Sequence, residues 1–146
     1  AGNDELLGGD GKDNLSGSAG RDRLDGGADK DRLMGGGGAD RFVFSALATG
    51  NDVIADFDAT QNDKLTISAA AFGGGLNEGK HLADDQLVLG AAATAAHGQF
   101  LYSADTGQIR WDADGTGSGR AVNVAILLNL GLHPASLVTA SFEIIA

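Results

Sequence analysis

Between residues 1 and 42 an aspartate returns at every ninth position, as Asp4, Asp13, Asp22, Asp31 and Asp40. Two places after each stands an apolar side chain, Leu6, Leu15, Leu24, Leu33 or Phe42, and glycine fills most of the places ahead, so the unit reads GGxGxDxLx. The copies are a truncated AGNDELL (1–7), then GGDGKDNLS (8–16), GSAGRDRLD (17–25), GGADKDRLM (26–34) and GGGGADRFV (35–43). Two copies depart from the pattern, with Ser18 at a second glycine and Asp29 at a fourth. Aspartate is among the few residues that tolerate a positive φ, so the second change is mild. A flexible acidic linker has no reason to put an apolar residue at every ninth place, so the period specifies structure.

A fixed nine-residue period of Gly, Asp and one apolar residue marks a calcium-binding parallel β-roll. The glycine-rich half makes a turn that needs glycine's backbone freedom, and the half after the aspartate makes a very short strand with its Leu pointing inward. Two units close one coil, and coils stack about 4.8 Å apart as strands do in a sheet. Aspartates eighteen residues apart then face each other: Asp4, Asp22 and Asp40 on one edge, Asp13 and Asp31 on the other. Bare carboxylates at that separation repel by a few kcal/mol at an effective dielectric of about 20. A divalent cation between each pair reverses the sign.

Calcium suits such a site better than magnesium or zinc. It accepts six to eight oxygen ligands, backbone carbonyls included, in flexible geometry, whereas magnesium wants strict octahedra and zinc prefers nitrogen or sulfur. The chain has no Cys, and its three His are scattered.

This stretch closely resembles the repeats-in-toxin (RTX) family, whose nonapeptides bind calcium through the Asp carboxylate and carbonyls of the glycine-rich turn. Carried over by position, the resemblance implies at least three calcium ions held by Asp4, Asp13, Asp22, Asp31 and Asp40. Backbone oxygens around Gly2, Gly9, Gly11, Gly20, Gly27, Gly36 and Gly38 would help, and Asp10, third in its copy, could add a carboxylate. The segment ADRFVFS…NDVIADFD…NDKLTIS is similar to the junction after the repeats in serralysin-type carboxy-terminal domains. There Asp52, Asp56 and Asp63 would ligate a terminal ion; the other reading makes them turn formers in solvent.

Composition changes near Phe42, from Gly, Asp, Lys and Arg to Ala, Val, Ile and Leu. Two parts are therefore expected: a β-roll over 1–43 and a β-sandwich-like capping and secretion-signal region over 44–146, giving an all-β chain. The formal charge of −10 disfavours nucleic acid and anionic membrane surfaces and fits a carrier of divalent ions. No apolar run reaches transmembrane length. Because the chain opens in mid-repeat, it is expected to be a fragment with an upstream domain.

Downstream, a loop at 45–52 precedes strands VIADF (53–57) and KLTIS (64–68), separated by a turn rich in Asp and Asn. The signal fades over 69–98, where LADDQLVLG suggests a helical turn or an edge strand, and His81 and His97 are expected in loops rather than as ligands. QFLYS (99–103) and QIRWD (108–112) form a hairpin with Phe100, Tyr102, Ile109 and Trp111 facing inward. AVNVAILLN (121–129) reads as a half-buried strand with Val122, Val124, Ile126 and Leu128 on one face. Between them DADGTG (112–117) lacks the third ligand and the Glu of an EF-hand loop. Two readings stand for it, a turn and an extra calcium site. The ending SFEIIA is similar to the acid-plus-apolar termini of RTX proteins exported by type I systems; a final core strand is the alternative.

No HExxH, GxSxG or Cys is present, so catalysis is expected only in an upstream domain. The reading is a calcium-dependent folding and type I secretion module of a larger exported, extracellular bacterial protein. Its partners are calcium and the secretion machinery. The alternative is a calcium-stiffened structural or adhesive segment of a surface protein.

Overall fold

A computed structural model describes residues 1–47, 50–128 and 137–146. Ala48 and Thr49 of the expected 45–52 loop, Asn129 of the expected last strand, and His133 lie outside the described residues.

The nine-residue period builds five short strands, β1 (Glu5–Gly9), β2 (Asn14–Ala19), β3 (Arg23–Gly27), β4 (Arg32–Gly37) and β5 (Arg41–Phe44). They alternate between two sheets, and β1, β2 and β3 each pair in parallel with the strand eighteen residues on: Leu6 lies opposite Leu24, Leu24 opposite Phe42, and Leu15 opposite Leu33. Two units thus make one coil of an all-β parallel roll. Leu24, Leu33 and Phe42 are fully buried between the sheets, whereas Leu6 and Leu15, in the first coil, are half-buried.

Beyond residue 43 the sheets continue. β6 (Asp52–Ile54) adds to β4, and β7 (Lys64–Ser68) adds to β5, placing Ile54 opposite Leu33 and Leu65 opposite Phe42. The change of composition therefore marks the end of the strict period and not the end of either sheet. After β7 come a one-turn helix α1 (Ala69–Phe72), β8 (Leu87–Leu89), β9 (Gln99–Ser103), β10 (Gln108–Asp112), β11 (Val122–Leu127) and β12 (Phe142–Ile145). The orders are β1-β3-β5-β7-β12 and β2-β4-β6-β11-β10-β9-β8. Among the described residues no helix is long and apolar enough to cross a membrane.

The hairpin β9–β10 buries Phe100, Tyr102, Ile109 and Trp111, with Phe100 and Trp111 ring centroids 4.5 Å apart. The 84–89 segment supplies both expected forms, a 3₁₀ turn followed by edge strand β8. VIADF is shorter than expected, because the strand ends at Ile54. β11 departs further from its expected alternation: Val124, Ala125 and Leu127 are buried, while Val122 and Leu128 are exposed. Opposite it, the register jumps from Ile109–Ala125 to Arg110–Asn123, leaving Val124 as an extra residue. Such a bulge flips the facing of every side chain beyond it. The terminal SFEIIA forms β12, a core strand with Phe142 and Ile144 buried against β7.

Candidate metal centre

Each turn of the roll leads its aspartate to the edge of a sheet, where one carboxylate oxygen ties adjacent coils together. On one edge, Asp4 N donates to Asp22 Oδ1 (2.8 Å), Asp22 N to Asp40 Oδ1 (2.8 Å) and Asp40 N to Asp63 Oδ1 (2.9 Å). On the other, Asp13 N donates to Asp31 Oδ1 (2.8 Å) and Asp31 N to Asp52 Oδ1 (3.0 Å). Asp52 and Asp63 are therefore the last rungs of the two ladders, both buried, and not turn formers in solvent. Asp56 closes the last repeat differently, its Oδ1 and Oδ2 accepting the N–H groups of Gly35 (3.0 Å) and Gly36 (2.8 Å). Asp10 is exposed and makes no rung, and Asp4, in the first coil, is also exposed.

The second carboxylate oxygens are what distinguish the site. Oδ2 of Asp13, Asp22, Asp31 and Asp40 is buried and has no hydrogen-bond partner. Buried acceptors without partners are costly, and anionic ones more so. Each also presses on the first glycine of its own unit. A Cβ at Gly17, Gly26 or Gly35 would overlap Oδ2 of Asp22, Asp31 or Asp40, and one at Gly8 would come within 2.6 Å of Asp13 Oδ2.

The turn supplies further oxygens. Its second and fourth residues all take positive φ, including Gly9 (97°) and Gly11 (103°) and the two non-glycine departures, Ser18 (82°) and Asp29 (72°). The carbonyls of Gly2, Gly9 and Gly20 lie against the glycine of the next coil, at Gly20, Gly27 and Gly38, so closely that a Cβ there has no room. Among the described residues no three Asp, Glu or His side chains converge as a ready-made metal cluster. A cation here must draw on one or two carboxylates and on turn carbonyls, which is a donor set calcium accepts.

Electrostatics point the same way. Burial pushes the Asp52 carboxyl up to about 7 and that of Asp63 up to about 6, with the facing Asp31 and Asp40 carboxylates adding to the rise against the N–H bonds that oppose it. Asp31 and Asp40 are raised too, again by burial first. Without a cation, then, burial opposes the charged form at Asp31, Asp40, Asp52 and Asp63.

The role of the first-position glycines is not legible as a motif, and Asp52 and Asp63 are reached through the resemblance and not through the period. The first-position glycines are selected by contact with Oδ2, which only the coil geometry reveals. Gly50-Asn51-Asp52-Val53-Ile54 and Gln61-Asn62-Asp63-Lys64-Leu65 are degenerate copies of the xxDxL half-unit. They are displaced from the period, since their aspartates pair across 21 and 23 residues instead of 18. The recurring Asn-Asp pair is the signal that finds them. Asn51 itself, at φ 69°, buries an Oδ1 that has no partner.

Comparison with known proteins agrees with this geometry. Residues 1–24 and 7–42 match the family model described as the RTX calcium-binding nonapeptide repeat (4 copies). No curated protein matches the chain in sequence. Among solved structures, the chain is similar to two subunits of the Azotobacter vinelandii mannuronan C5-epimerase. One is AlgE6R3, with 31% identity, 97% of this chain and 77% of that one covered, and a TM-score of 0.58. The other is AlgE6R2, with 33% identity, 97% and 87% covered, and a TM-score of 0.54. The likeness runs well past the repeats into the residues that follow them. With the nonapeptide model matched over the roll and these relatives matched over nearly the whole length, the chain belongs to the RTX family of calcium-binding nonapeptide-repeat proteins.

Proposed function

We propose that this chain is a calcium-dependent folding and export module of a larger extracellular bacterial protein, whose catalytic activity lies outside these residues. The observation that carries it is the set of four buried, partnerless Oδ2 atoms on Asp13, Asp22, Asp31 and Asp40. These carboxylates, Asp4, and turn carbonyls at Gly2, Gly9, Gly11, Gly20, Gly27, Gly36 and Gly38 are the proposed ligands, for at least three ions. Asp52, Asp56 and Asp63 complete the last coil. When bound, calcium supplies positive charge and oxygen coordination between coils.

The chain's own residues set the switch. With calcium scarce, the stacked carboxylates repel, and the glycine-rich turns favour the unfolded state by their entropy. That state suits passage through an export channel. Where calcium is plentiful, each site filled to about ten times its dissociation constant adds roughly 1.4 kcal/mol. Rungs shared between coils make filling cooperative. The region after the roll acts as its cap, and we assign it the export role of a serralysin-type terminal domain, read through the 143–146 ending.

Amide hydrogen exchange tests the folding part: the N–H groups of Asp22, Asp31 and Asp40 are protected in calcium and exchange freely in chelator, whereas equal protection in both contradicts it. For export, a chain lacking 143–146 stays inside cells; its export at the normal level contradicts that part.

A second reading concerns the parent. In register across one sheet lie Arg23, Arg41 and Lys64, and Arg21, Arg41, Lys64 and His81 border one hollow despite the net charge of −10. Arg23 and Arg41 are paired with Glu5 and Glu143, and Lys64 Nζ donates to Ala140 O, so an extended polyanion would have to displace exposed carboxylates from this row; mannuronan is named in the relatives' enzyme. The parent is therefore proposed to be a polysaccharide-modifying enzyme. Salt-sensitive retention of this chain on immobilised polyuronate supports the reading, and no retention at low salt removes it.

A further inference from the structure

The turn between β10 and β11 carries DADGTG, to which the roll gives no role. Asp112 ends β10 and is only 7% exposed, yet its Oδ1 is buried without a hydrogen-bond partner, and no ion pair involves it among the described residues. The residue lines a shallow hollow together with Ala91, Leu101 and Thr116. Two places on, Asp114 is folded back into the turn. Gly119 N donates to its Oδ2 at 2.9 Å, and Gly117 N to its carbonyl oxygen at 3.1 Å. A Cβ at Gly119 would come within 2.6 Å of Asp114 Oδ1, and one at Gly117 would overlap Oδ2, so the glycines allow the turn to wrap that carboxylate. The turn is held in place from below, since Thr116 N donates to Ala95 O at 2.9 Å.

We propose that this turn is a second cation site, separate from the roll and suited to calcium. Asp112 and Asp114 stand at the first and third places of the loop, as the leading carboxylates of calcium loops do, and the fifth place, where an EF-hand carries Asp or Asn, holds only the Thr116 hydroxyl. The available donors are all oxygens, which excludes a preference for zinc. A buried carboxylate oxygen with no donor requires compensation, and a divalent ion in the adjoining hollow supplies it. Two arginines also border the hollow, but Arg110 Nη2 is engaged by Ala91 O at 2.7 Å, and Arg120 is exposed.

The only tryptophan, Trp111, immediately precedes Asp112 and makes a local reporter. In the full chain, terbium bound at the turn should luminesce on excitation of Trp111, and calcium should displace it. Asp112→Asn is expected to lower that signal at least tenfold and to reduce bound calcium by one equivalent per chain in equilibrium dialysis, while the roll keeps its calcium-induced circular dichroism change. An undiminished signal and unchanged stoichiometry overturn the proposal. If Arg120 is instead the counter-ion of Asp112 in solution, the signal is missing in the wild type and appears in Arg120→Ala, which also overturns it. Should Asp112→Asn lose the dichroism change as well, Asp114→Asn, at an exposed residue, decides: loss of the signal supports the site and its retention overturns it.

Discussion

Asp40 donates its backbone N–H to Oδ1 of Asp63 at 2.9 Å, so a ladder that begins with a strict eighteen-residue spacing is completed by an aspartate 23 residues away. Asp63 Oδ2 meanwhile accepts from Asp58 N at 2.8 Å, fastening the turn ahead of β7 to the last coil of the roll. This one carboxylate couples the two regions. Asp63→Ala leaves a buried N–H without a partner and should cost about 1–3 kcal/mol in calcium-saturated denaturation. Asp63→Asn keeps an acceptor oxygen and should cost less; equal losses would show that the acceptor at this position is unimportant.

The first glycine of each unit yields a paired test. Gly26→Ala places a methyl group on Asp31 Oδ2, whereas at Gly37, at the end of β4, a Cβ meets only Gln61 Oε1 at 3.9 Å. Gly26→Ala is expected to lower calcium affinity at its site tenfold or more, and Gly37→Ala to leave it unchanged. Calorimetric titration of the two variants reads the difference.

Acidity should act on the ion-free chain in a direction opposite to ordinary acid denaturation. Asp52 and Asp63 have folded-state values of about 7 and about 6, above the usual 3.8 of a carboxyl. The folded state therefore holds more protons than the unfolded state between these limits, and stability falls as pH rises through about 4 to 7. Glu143 runs the other way. The Arg41 side chain, whose Nε donates to Glu143 Oε2 at 2.7 Å, lowers its carboxyl, so its contribution is present above the ordinary value and lost in acid. That pair is half-exposed and worth under about 1 kcal/mol. In chelator, the dichroism at pH 5 should thus show more β structure than at pH 8, and calcium binding near pH 6 should release protons. A chelated chain less structured at pH 5 would contradict the assignment of the buried rungs.

Much of this architecture is legible in the sequence, for identifiable reasons. Within β1 to β5 the paired residues stand eighteen positions apart, so the period writes strand order and register directly. In the β9–β10 hairpin, Phe100, Tyr102, Ile109 and Trp111 alternate cleanly because the pairing is regular. Where geometry is irregular, the pattern loses its meaning. A single bulge at Val124 inverts the facing of β11. Asp52 and Asp63 escape the period because the turns before them change length. The tie from Oδ1 to the preceding coil's N–H, and the partnerless Oδ2, depend on how the coils stack, which residue identity alone does not encode.

On the proposed function, the carboxylate ladder folds only with calcium bound. Far-ultraviolet circular dichroism of the whole chain at pH 8, titrated with calcium from a chelated start and with magnesium as control, tests it most directly. A cooperative gain of β signal with calcium and none with magnesium is the predicted result. A chain already fully folded in chelator, with no response to calcium, would contradict it.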